Sequence, residues 1–166
     1  MPSFIGFVPT PTECIDGFFE LTPISSSDIV YDLGSGDGRL LFAALEKGAK
    51  RVVGVELNPE LVREARETAK GKGVKDRATF LEADVMDVNL AKATLILCYL
   101  FPTASEALRP KFESELKPGT RVVMETFDIP GWKPVRTTDR GSKSFYLYVL
   151  PTETTGDVGS QRHWDI

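Results

Sequence analysis

The chain has 166 residues, 42% of them hydrophobic and 27% charged, with a net charge of −4 at pH 7; one domain fits that length. The acidic balance argues against a nucleic-acid surface, which shows as clustered Lys and Arg. The longest apolar run, 94–101, falls far short of the ~18 residues of a membrane span, and Met1–Pro11 lacks the basic region of a signal peptide, so a soluble, cytoplasmic monomer is expected.

Helical and strand patterns alternate along the chain. "TPTE" predicts a helix start, with Thr10 as N-cap, Pro11 in the first turn and Glu13 closing a capping box, before Pro23 ends the segment. "DIVYDLG" reads as a buried strand and "RLLFAALEKG" as a helix ending at Gly48. The β-branched run "KRVVGVEL" is a second strand. In the helix after it, Asn58 caps, Pro59 opens, and Leu61, Val62, Ala65 and Ala69 form one apolar face. "ATFLEAD" and "ATLILCYLF" predict strands three and four. Thr103 and Glu106 repeat the capping box, and Pro110 predicts a break in that helix. "LKPGTRVVMETF" feeds a fifth strand, and "KPVRTT" and "SFYLYVL" form a hairpin. The pattern specifies an α/β fold: a doubly wound, mostly parallel sheet with an antiparallel edge hairpin, over residues 1–150. Residues 151–166 lack periodicity and read as a flexible tail containing the only histidine, His163. Cys14 and Cys98 have no metal-type spacing and read as reduced, buried thiols, and no metal site is expected.

Ligands of such sheets bind beyond the carboxyl ends of the strands. The first strand runs into "YDLGSGDGR", which differs from the G-x-G-x-x-G of a dinucleotide site. Asp32 and Asp37 flank the turn where a pyrophosphate would lie. One like-charge pair about 4 Å apart costs roughly 4 kcal/mol at an effective dielectric of 20. The same carboxylates suit a cationic ligand such as S-adenosylmethionine. Glu56 ends the second strand, where a carboxylate can accept from both ribose hydroxyls, and Asp84 ends the third, where one can accept from an adenine amino group.

These pieces resemble the seven-strand S-adenosylmethionine-dependent methyltransferases, through "YDLGSGDGR", "GVELNPELVREAR", "FLEADVMDV" and the terminal hairpin. More narrowly, "FVPTP" at 7–11 and the segment 116–134 resemble the short protein-lysine methyltransferases of archaea and their mitochondrial relatives. The membrane-anchoring segment of the mitochondrial relatives is not expected here. The resemblance implies a Rossmann-like seven-stranded sheet with S-adenosyl-L-methionine as cofactor. Asp32, Gly34 and Gly36 would then face the methionine part, with Thr10 as a lid over it, Glu56 the ribose, and Asp84 with Val85 the adenine, and Asp37 and Leu57 would complete the cofactor-binding set. Met124 and Glu125 stand where close relatives often have a Ser-His-like pair.

Tyr99, after the fourth strand, and Glu125, at the end of the fifth, are the candidates for the acceptor side. Tyr99 reads equally well as a core aromatic, and Glu125 and Asp128 as surface charges. "CYLFP" lacks the Asn/Asp-Pro-Pro-Tyr-like motif frequent in methyltransferases acting on nucleobase or glutamine nitrogens. A protein substrate methylated on lysine is the leading reading. A small-molecule methyltransferase and an inactive cofactor-binding module are its alternatives, and a nicotinamide oxidoreductase ranks last.

Overall fold

The computed structural model describes residues 11–99 and 102–155. Seven strands form one sheet in the order β3-β2-β1-β4-β5-β7-β6. β1 (Ile29–Leu33), β2 (Arg51–Glu56), β3 (Ala78–Glu82), β4 (Leu95–Cys98) and β5 (Arg121–Glu125) run parallel. β7 (Lys143–Val149) pairs antiparallel with β5, and β6 (Arg136–Arg140) closes the edge as the other arm of the hairpin. Strand order therefore reverses between β1 and β4, the switch point at which doubly wound sheets bind ligands.

The pleat sends alternate residues of each strand to opposite faces. Val30, Val52, Leu95, Leu97 and Val123 pack with α1 (Thr12–Leu21), α2 (Arg39–Glu46) and α3 (Pro59–Gly71). Tyr31, Leu33, Ile96, Val122 and Met124 pack on the other face with Leu108 and Phe112 of α4 (Pro102–Glu115). Trp132 extends that second core, its indole tilted against Phe112 and Tyr148 and its Nε1–H donating to Glu113 at 3.0 Å.

The predicted elements are present, with four differences. Pro11 occupies the N-cap position of α1 without a side-chain cap, and Thr10 lies outside the described residues, as do Leu100, Phe101 and His163. Thr103 is inside α4, because Pro102 already occupies the first turn. Pro110 does not break α4. Leu108 and Phe112, on either side of it, are fully buried, and the Arg109–Glu113 ion pair spans it, so packing outweighs the missing N–H. β3 ends at Glu82, which leaves Asp84 in the turn that follows. The cap at Asn58 is as read, with its side chain accepting from the Glu60 N–H at 3.0 Å. Of the segment read as a tail, Glu153 accepts from the Lys133 N–H and Thr155 donates to Gly131, both at 2.8 Å, while 156–166 lie outside the described residues.

Candidate active site at the carboxyl edge of the sheet

The glycine loop is built by backbone. The N–H groups of Gly34 and Ser35 both donate to the Val55 carbonyl, at 2.8 and 3.0 Å, which ties the loop to the end of β2. Gly34 and Gly36 have φ of +88° and +57°, in the left-handed region that favours glycine. A side chain added at Gly34 would meet no atom within 4 Å, so its backbone is open to a ligand. Gly54 of β2 is needed for a different reason: a Cβ there would lie 2.6 Å from the Ser35 hydroxyl and 2.7 Å from the Phe80 ring.

Two carboxylates frame this loop. Glu56 accepts from the Gly36 N–H with one oxygen and from the Asn58 N–H with the other, each at 2.9 Å. Each carboxylate oxygen has a second lone pair available for a diol. Asp32 is only 5% exposed. Burial, then the charges of Glu56 and Glu125, push its carboxyl up to about 8. Among the described residues no Lys or Arg forms an ion pair with it. A buried carboxyl of this kind is stabilised by a cation placed beside it.

Asp37 differs from the sequence reading. Its carboxylate accepts from the Arg39 backbone N–H and from the guanidinium, with a closest contact of 2.7 Å. Partial burial raises its affinity for a proton, but these bonds outweigh that and leave it below its ordinary value. Its charge is therefore compensated, which leaves Asp32 as the carboxyl of this loop without a counter-charge among the described residues.

Across the loop, Asp84 accepts from the Met86 N–H at 2.9 Å. Leu57 and Met86 are exposed, at 41% and 45%, and Val85 is half-buried. These apolar side chains follow Glu56 and Asp84 at the ends of neighbouring strands, as a flat aromatic ring requires. Met86 was not among the residues predicted from the sequence. A concavity of about 740 Å³ beside the loop includes Asp37 in its lining, but not Asp32, Glu56 or Asp84.

The acceptor side follows from register. Cys98 pairs with Met124, which brings the next residues, Tyr99 and Glu125, to the ends of adjacent strands. Tyr99 is 45% exposed, not a core aromatic, whereas Glu125 is 5% exposed, not a surface charge. Asp128 is exposed. Burial raises the Glu125 carboxyl above its ordinary value, against the opposing influence of the Cys14 thiol, which donates to it, and of the Lys143 charge. Thr126 then turns the chain with φ +70°, and the Phe127 N–H donates to the Glu125 carbonyl at 2.8 Å, closing a γ-turn.

Comparison with known proteins decides the family. The family model described as ANTKMT methyltransferase domain matches residues 32–136, which span the glycine loop through the start of β6. The chain belongs to that methyltransferase family. It is 40% identical over 151 residues to a protein-lysine N-methyltransferase of Saccharolobus islandicus, covering 88% of this chain and 94% of that one. It is 36% identical over 117 residues to the adenine nucleotide translocase lysine N-methyltransferase of Mus musculus, a match covering 70% of this chain and 51% of that one. Among solved structures, an RNA methyltransferase of Salinibacter ruber in complex with S-adenosyl-L-homocysteine is 41% identical and superposes with a TM-score of 0.83, covering 87% of this chain and 94% of that one. S-adenosylmethionine is the methyl donor of this methyltransferase. The residues present suit it: a buried carboxyl short of a cation at Asp32, an open glycine backbone at Gly34, and a carboxylate at Glu56 oriented by two N–H groups.

Proposed function

We propose that this methyltransferase modifies lysine side chains of proteins, with Tyr99 and Glu125 receiving the acceptor. The observation that carries this reading is the pairing of an exposed aromatic ring with a buried carboxylate at the ends of β4 and β5. A π face and a carboxylate recognise an ammonium, and an aliphatic lysine stem fits between them. The archaeal and mouse relatives, both named for lysine methylation, support it.

Asp32, Glu56 and Asp84 would hold the donor at its methionine, ribose and adenine parts, with Gly34 and Gly36 giving close approach and Leu57 and Val85 flanking the rings. Bound S-adenosylmethionine supplies a methyl group on a sulfonium, whose leaving group is a neutral thioether. The protein's own contribution is alignment, worth up to roughly 7–11 kcal/mol in well-oriented systems. A lysine ammonium, with an ordinary pKa of about 10.4, must lose a proton before it attacks. Glu125, raised by burial, is the group placed to take that proton. Cys14 and Cys98 are buried and not joined in a disulfide, which supports a reducing, cytoplasmic setting.

The test is incubation with methyl-labelled S-adenosylmethionine and a desalted lysate, followed by separation of protein, RNA and small molecules. Label is expected in protein and recoverable as methyl-lysine. Glu56→Ala should lower it about tenfold or more, since hydrogen bonds to a charged group are involved. The Salinibacter ruber relative, named for RNA methylation, favours a second reading; label recovered in RNA would establish that acceptor and remove lysine.

A further inference from the structure

Because β7 runs antiparallel to β5, its first residue stands at the carboxyl edge of the sheet, beside the site. Glu125 pairs with Phe145, and the Thr126 N–H donates to the Ser144 carbonyl at 2.7 Å, so the strand end carrying Lys143 is fixed against the γ-turn. From there the Lys143 side chain, itself half-buried, reaches over the end of β4. Its Nζ lies 5.8 Å from the centroid of the Tyr99 ring, and its charge is felt by the Glu125 carboxyl. An ammonium near both this ring and this carboxylate is the arrangement that the acceptor lysine requires.

We propose that Lys143 sits in the acceptor-ammonium seat of the resting protein and competes there with the incoming lysine, so that it sets the affinity for acceptor. The inference rests on the reading of Tyr99 and Glu125 as the acceptor side. Two ammonium groups cannot share one aromatic face, because like charges at contact repel. The flexible four-carbon stem lets Lys143 withdraw without moving the backbone. Its backbone pairs with Arg140 to close the hairpin, and that pairing does not depend on the side chain.

Two variants separate occupancy from a structural role. Lys143→Gln empties the seat and should lower the half-saturating concentration of lysate protein by about two- to fivefold, the range of an exposed cation–π contact. Lys143→Arg, still cationic and better suited to stacking, should keep it at or above the wild-type value. An independent readout needs no turnover. In protein labelled with ¹³C-lysine, the Lys143 Cε protons should show an upfield ring-current shift that disappears in Tyr99→Leu and on titration with n-butylammonium, a lysine side-chain mimic. Equal half-saturation in wild type and Lys143→Gln, or a Cε resonance unmoved across the whole n-butylammonium titration, overturns the proposal. Wild-type protein that yields no methyl-lysine would instead remove the proposed function and leave the titration to decide on its own whether the seat is occupied.

Discussion

Asp32 concentrates the chemistry of the site in one residue. With its carboxyl at about 8 in the folded chain against 3.8 ordinarily, the folded state holds a proton that the unfolded chain releases. The contribution to stability is therefore fully present below the ordinary value and lost as pH rises to about 8. Over that window stability should fall by up to about 1.4 kcal/mol per pH unit. Thermal melts of Asp32→Asn between about pH 4 and about pH 8, the span of the window, should show this slope reduced and the variant more stable than wild type at the alkaline end. Thr126 is a second residue held against its preference, a β-branched side chain at φ +70° whose buried hydroxyl has no hydrogen-bond partner. Such a conformation costs about 1–3 kcal/mol. Thr126→Gly should thus raise the unfolding free energy by about 1 kcal/mol, and an unchanged or lower denaturation midpoint would show the turn to be unstrained.

At the scale of elements, α4 shows packing overriding local preference. Pro110 is exposed within it, and the helix persists because Leu108 and Phe112 anchor both sides. Pro110→Ala restores a backbone donor and should raise stability by about 1–3 kcal/mol, read from the denaturation midpoint. The same element marks the limit of reading from sequence. Strand runs, the Asn58–Pro59 start and the glycine turn were legible because each is decided within a few neighbouring residues. Glu56 and Asp84 were legible for the same reason, as charges next to the strands that carry them. Which carboxylates are free and which are engaged was not. Arg39 takes Asp37 only because the loop folds back on itself, and Glu125 is buried because β7 and α1, both distant in sequence, close over it. Lys143 gave no signal, since its place follows from the insertion of β7 between β5 and β6.

At the scale of the whole molecule, strand order gathers these groups. The parallel neighbours β1, β2 and β3 bring Asp32, Glu56 and Asp84 to one side of the reversal, and the antiparallel hairpin brings Lys143 to Tyr99 and Glu125 on the other. Donor and acceptor sides thus meet over the ends of β1, β4 and β5, where Asp32 senses Glu125. This arrangement implies that binding of a cationic donor is coupled to ionisation of a buried carboxyl. The most direct test is calorimetric binding of S-adenosylmethionine near pH 7, in two buffers of different ionisation heat, for wild type and Asp32→Asn. The account predicts about one more proton released on binding to wild type than to the variant, whose affinity should fall about tenfold or more. Equal affinity and equal proton release in the two proteins would contradict the central role of Asp32 in holding the donor.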